Sequence, residues 1–166
     1  RRFRIHVDVS MRQVVATEFV ELVVTAIARH GLDPGNFVLE FEEHLLGRAD
    51  ALRSLRSLER RGILIAIDGF GRGPSSLTAL RAVAADYLKL DGSFTQRVGE
   101  PDHDDALVRG TIQLAHGLGL DVIANWVSTD EQFARLGALG CDFAQGFRIG
   151  RPTAAADFGT SAVDRH

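Results

Sequence analysis

Residues 63–68 read Ile-Leu-Ile-Ala-Ile-Asp, five consecutive apolar residues closed by a carboxylate. A run that is apolar at both odd and even positions suits a strand buried on both faces, as in a parallel sheet covered by helices. The segment before it, Ala49 to Arg61, places Leu52, Leu55 and Leu58 on one face and Arg53, Arg56, Glu59 and Arg60 on the other. That is the spacing of an amphipathic helix, and Gly62 stops it. A helix feeding a fully buried strand is one β/α unit, and the same unit recurs in both directions along the chain.

Upstream, Phe3 to Val9 is a β-rich run. Glu18 to His30 is predicted to be helical, with Phe19, Leu22, Val23, Ala26 and Ile27 on one stripe, and Gly31 ends it. Asp33-Pro34-Gly35-Asn36 reads as a turn before a strand over Phe37 to Phe41. Downstream, helices are expected over Ser76–Ala84, Asp104–His116 and Thr129–Leu139. Strands are expected over Asp86–Leu90, Asp121–Ala124 and Cys141–Gly146. Six strands alternating with five helices predict an α/β fold with a parallel sheet and right-handed crossovers. An open doubly wound sheet and an incomplete (β/α)₈ barrel both satisfy this pattern. A complete barrel has eight strands and ~250 residues, more than this chain holds. No glycine-rich phosphate loop follows the first strand, which disfavours a dinucleotide-binding fold. The barrel-like domain is expected over 1–152. The Ala-rich tail, 153–166, is expected to carry at most a short helix.

Composition narrows the function classes. The 166 residues include 19 Lys plus Arg and 22 Asp plus Glu, for a net charge of −3. A near-neutral chain has no broad basic field, so DNA is not an expected partner. No apolar run approaches the ~20 residues that span a bilayer, and no secretory signal pattern opens the chain. The single cysteine, Cys141, excludes an internal disulfide and a cysteine-rich zinc site, which suits a reducing cytoplasm. The chain opens on Arg1 and not on Met, so it is expected to be a piece of a longer protein.

The chemistry gathers at strand ends. Asp8 closes the first strand, Glu40 and Glu42 the second, Asp68 the third and Lys89 with Asp91 the fourth. Asn125 closes the fifth and Gln145 lies on the last. Functional residues of β/α barrels sit at this C-terminal rim. Carboxylates with an amide suit a hard divalent cation such as Mg²⁺ or Mn²⁺, and a metal pair there would suit in-line displacement at phosphate. A polar strand end by itself also fits plain solvation.

The motifs then carry a resemblance. Asp68-Gly69-Phe70-Gly71-Arg72-Gly73-Pro74-Ser75-Ser76-Leu77 resembles the DDFGTGYSSL segment of EAL domains, bacterial phosphodiesterases that hydrolyse cyclic di-GMP to the linear dinucleotide pGpG. Val7 to Gln13 resembles VNLSARQ, Leu39 to Glu43 resembles LELTE, and Leu88 to Phe94 resembles KIDRSF. Val122 to Thr129 is similar to VIAEGVET, and Gly140 to Phe147, with Arg151-Pro152 after it, to GCDYAQGY and SRP. The resemblance implies a (β/α)₈ barrel of which this chain holds strands three to eight. It also implies Glu40 and Asp68 as metal ligands, Lys89 as the active-site lysine and Gln145 near the catalytic water.

The departures are as informative. Asp8 replaces the family's metal-binding asparagine, Gly69 the second aspartate of the metal pair and Asn125 the glutamate of EGVE. The Glu-Ala-Leu signature has no counterpart here. These departures imply a degenerate domain with weak or absent metal binding, acting as a regulatory module that senses cyclic di-GMP or holds a protein partner. The alternative is an active metal-dependent phosphodiesterase. Arg72 and Pro74 alter a loop that couples family dimerisation to the site, and open sheet edges imply either that the missing strands lie upstream or that the chain self-associates, a homodimer among the outcomes. The resemblance also implies a signalling domain, diguanylate-cyclase-like or sensory, ahead of this one. Trp126 stands where the family has glycine; filling space and stacking on a guanine base both fit. The six histidines show no metal-ligand spacing and read as surface or core residues.

Overall fold

A computed structural model describes residues 3–71, 80–100, 105–154 and 156. Its strands are β1 (Ile5–Val9), β2 (Phe37–Glu42), β3 (Leu64–Phe70), β4 (Tyr87–Leu90), β5 (Asp121–Ala124) and β6 (Phe143–Ala144). Its α-helices are α1 (Met11–Val14), α2 (Phe19–Arg29), α3 (Ala49–Glu59), α4 (Gly92–Thr95), α5 (Asp105–Gly117) and α6 (Asp130–Leu139). The first four residues of the helix predicted over Ser76–Ala84 fall outside the described residues, as do the altered loop positions Arg72 and Pro74 and most of the tail. Two short helices, α1 and α4, and a 3₁₀ turn at Glu43–Gly47 were not expected. All three sit just beyond strand ends and are too short to show a hydrophobic period. The last strand is shorter than expected, because Cys141 and Gln145 lie outside its ladder.

The strand order decides between the two architectures that the pattern left open. Among the described residues the sheet runs β1-β2-β3-β4-β5-β6, every neighbour parallel. A doubly wound sheet would reverse order at a switch point. Strands laid down one after another in one direction are the arrangement of a barrel wall, and the chain forms an incomplete (β/α)₈ barrel. Ile65, Ile67, Leu88, Leu90, Val122 and Ala124 face the helices and form the main core with Leu55, Leu58 and Ile112. The opposite, concave face carries a smaller apolar layer of Val38, Ala66, Tyr87 and Ile123.

Local chemistry holds the helices in place. Ser10 and Gln13 form a capping box at α1, and Thr129 and Gln132 form another at α6. Gly140, with φ 99°, ends α6 in the left-handed conformation that glycine tolerates. Asp142 then ties the return into β6. Its Oδ2 accepts from the Val122 amide at 2.8 Å and contacts His116 Nε2 at 2.7 Å. Partial burial would raise the Asp142 carboxyl, but these two hydrogen bonds outweigh it and hold it below the ordinary range.

Two outcomes follow for stability. Leu88 is fully buried in the central strand β4, so Leu88→Ala is expected to cost ~2–5 kcal/mol in urea denaturation. Because the folded-state carboxyl of Asp142 is depressed, its contribution is present above the unfolded pKa near 4 and is lost as pH falls below it. Asp142→Asn is expected to flatten the fall in stability between pH 5 and pH 3, read by thermal melts across that range.

Candidate functional site

Side chains of a strand alternate between its faces, so residues two apart share one. Register pairs Asp8 with Glu40, Glu40 with Ala66, Ala66 with Tyr87, Lys89 with Ile123 and Ile123 with Phe143. Parity therefore puts Asp8, Glu40, Asp68, Lys89, Asn125 and Gln145 on the concave face, one step beyond the apolar layer. These six line one groove of about 790 Å³ at the C-terminal rim. Every residue expected at the site is brought to it. The two other polar residues noted at strand ends are used elsewhere. Glu42 pairs with His44 at 3.0 Å on the surface, and Asp91 caps α4 by accepting from the Ser93 amide at 2.9 Å.

The floor of the groove is a buried charge pair. Lys89 and Glu40 are both almost fully buried, and Lys89 Nζ donates to Glu40 Oε2. The two residues lie on β4 and β2, with β3 between them. On β3, Ala66 is the register partner of Glu40 on one side and of Tyr87, two residues before Lys89, on the other, so the lysine reaches across β3 to its glutamate. His6 Nδ1 contacts the other oxygen of Glu40 at 2.8 Å. Burial alone would raise the Glu40 carboxyl. The hydrogen bonds from His6 and Lys89, with the lysine charge, outweigh that and hold it at about 2. Asp8 moves the other way. Its contact with Glu40 raises its carboxyl first, then partial burial and the Glu40 charge.

Asp68 stands at the edge of this pair. Its Oδ1 lies 3.9 Å from Lys89 Nζ and accepts from Asn125 Nδ2 at 3.0 Å. The other atom of that amide, Asn125 Oδ1, is buried with no hydrogen-bond partner. Carboxylate oxygens of Asp8, Glu40 and Asp68 all lie within 4.8 Å of one another. The three carboxylates form an all-oxygen donor set, which fits one hard divalent cation. They do not fit a pair. Three negative charges less one lysine leave −2 against +4, and Gly69 brings no fourth carboxylate. Gly69 has φ 70° at an irregularity in the β3–β4 register, a conformation that disfavours a side chain there.

Two participants escaped the sequence reading. By sequence His6 reads as an ordinary surface or core histidine, yet it lies two residues before Asp8 and so shares its face. Parity was the signal that could have found it. Glu43 is buried, and its Oε2 accepts from the Gly71 amide at 3.2 Å, tying the turn after β2 to the turn after β3. Only tertiary packing brings those two turns together.

A family model described as the EAL domain matches residues 1–152. MucR of Pseudomonas aeruginosa, a bifunctional diguanylate cyclase/cyclic di-GMP phosphodiesterase, is 37% identical over 155 residues, covering 92% of this chain and 23% of MucR. A solved structure described as the PaMucR phosphodiesterase in complex with c-di-GMP superposes with a TM-score of 0.87 at 36% identity, covering 93% of this chain and 64% of that one. The EAL domain of Mycobacterium smegmatis DcpA gives 0.89 at 33% identity, covering 95% and 72%. A manganese/cy-diGMP complex of Klebsiella pneumoniae BlrP1 gives 0.82 at 25% identity, covering 91% and 39%. The chain spans about a fifth to a quarter of the length of the curated relatives it matches. No described helix is long and apolar enough to cross a membrane.

The buried pair has a measurable signature. Glu40→Gln and Lys89→Met are each expected to destabilise the chain by ~3–5 kcal/mol, since each leaves one buried charge uncompensated. The double variant is expected to cost clearly less than the sum, by urea denaturation of all four proteins. Additive costs would mean that the two charges do not support one another.

Proposed function

The chain belongs to the EAL domain family, and from that premise we propose that it is a degenerate member: a regulatory module in cyclic di-GMP signalling that lacks phosphodiesterase activity. The observation that carries this reading is the state of Glu40. The position matching a metal-ligand glutamate is already engaged on both oxygens, by Lys89 and His6. A cation pair would have to displace those contacts, and Gly69 and Asn125 offer no charge in return. One Mg²⁺ or Mn²⁺ held by Asp8, Glu40 and Asp68 would supply Lewis-acid polarisation of a phosphate oxygen. Asn125 would orient Asp68 through its amide, and Lys89 would balance the phosphate charge. Gln145, whose backbone carbonyl accepts from the Val127 amide at 3.1 Å, would face the ligand from the β6 side.

In this reading the module works in the cytoplasm, beside an upstream signalling domain or a protein partner, and is able to form a homodimer. Its ligand is cyclic di-GMP, bound and not consumed. The retained three-carboxylate cluster and the orphaned Asn125 Oδ1 favour a second reading, an active metal-dependent phosphodiesterase. Incubation with cyclic di-GMP and Mn²⁺, followed by chromatography, separates the two. Unchanged cyclic di-GMP is expected; metal-dependent appearance of pGpG, abolished by Glu40→Ala, would establish the second reading.

Restoring the missing charges tests the cause. Gly69→Asp combined with Asn125→Glu is expected to tighten Mn²⁺ binding by about tenfold or more, because affinity follows ligand charge. Calorimetric titration of both proteins with Mn²⁺ checks it. Unchanged affinity would mean that these two positions are not what weakens the site.

A further inference from the structure

Trp126 leaves β5 immediately after Asn125 with φ 63°. For a bulky residue this left-handed conformation is strained. The side chain is 63% exposed, so burial does not offset that strain. Its seat is Gly92, the first residue of α4. A Cβ placed on Gly92 would lie 2.7 Å from Trp126 Cδ1 and 3.2 Å from Cγ, so only glycine leaves the indole its floor. The Thr95 hydroxyl of α4 donates to the Asn125 carbonyl, which clamps that floor against the end of β5. Trp126 also lines the groove that holds Asp68 and Glu40. A tryptophan that merely filled space would be covered. Here one side of the ring system is seated on backbone and the rest stands open beside the carboxylate cluster.

We propose that Trp126 and Gly92 form a stacking platform, on which the exposed indole face takes a planar purine base of the nucleotide whose phosphate lies toward Asp68 and Lys89. This rests on the reading of the groove as a cyclic di-GMP site and adds to it the residue that grips the base. Stacking on an aromatic face is strong and tolerant of base identity. It therefore supplies affinity that survives the loss of metal ligands, which is what a receptor without chemistry requires. The exposed ring and the left-handed backbone both have a purpose once a base covers the indole.

The test uses the fact that Trp126 is the one tryptophan in the chain. Cyclic di-GMP is titrated into the protein in Mg²⁺, with heat and tryptophan emission followed in parallel. Saturating heat with quenching along the same isotherm is expected, and inorganic phosphate, which has no base, is expected to leave the emission unchanged. Trp126→Gly, which suits the left-handed backbone and so folds at least as well, is expected to bind roughly tenfold more weakly or worse, while Trp126→Phe retains most of the affinity. Binding heat with unmoved emission, or wild-type affinity in Trp126→Gly, would overturn the platform and leave the cyclic di-GMP reading standing. No heat from the unaltered chain would overturn both.

Discussion

A lysine and a glutamate buried together on the concave face of the sheet constrain much of what surrounds them. Charges taken out of water are tolerated only when paired and hydrogen-bonded. Lys89 and Glu40 meet that condition across the intervening strand β3. The second oxygen of Glu40 requires His6, so β1 is bound to β2 by side chains as well as by its ladder. Asp68 then completes the field around the lysine, and Asn125 bridges from Asp68 to β5. One buried ion pair thus links five of the six strands through polar contacts, on the face where the apolar layer is thinnest.

In the proposed reading as a degenerate member, the same network lets the groove keep its shape without the missing ligands. Where the family places glutamate, Asn125 donates its amide to Asp68 and so substitutes a hydrogen bond for a shared cation. Where the family places a second aspartate, Gly69 lets the β3 backbone turn with a left-handed φ. Each departure lowers the demand for metal. The Gly92–Trp126 pair follows a similar logic in packing. The motif that resembles KIDRSF has glycine where the family has arginine, and the motif that resembles EGVE has tryptophan where the family has glycine. The large side chain has changed sides, and the cleared position is where the indole rests.

The fold class was legible because hydrophobic period is a local property. The unbroken run Ile63–Ile67, the leucine stripe of Ala49–Arg61 and their repeats give β/α alternation without any tertiary knowledge. So were the six site residues, since a polar group closing an apolar strand must emerge at one end of the sheet. Short elements were not legible. Met11–Val14, Gly92–Thr95 and the turn at Glu43–Gly47 are set by caps and by neighbouring strands, not by their own pattern.

The sequence by itself determined the α/β class, the rim location of Asp8, Glu40, Asp68, Lys89, Asn125 and Gln145, and the missing charges at Gly69 and Asn125. All of these are written in residue type and spacing. Only the tertiary structure decided barrel wall against doubly wound sheet, because strand order depends on which strands pair and not on what each contains. It alone decided that Lys89 and His6 both engage Glu40, that Asn125 Oδ1 is buried without a partner, and that Trp126 rests on Gly92. Those are distances between strands far apart in the chain, which no local pattern encodes.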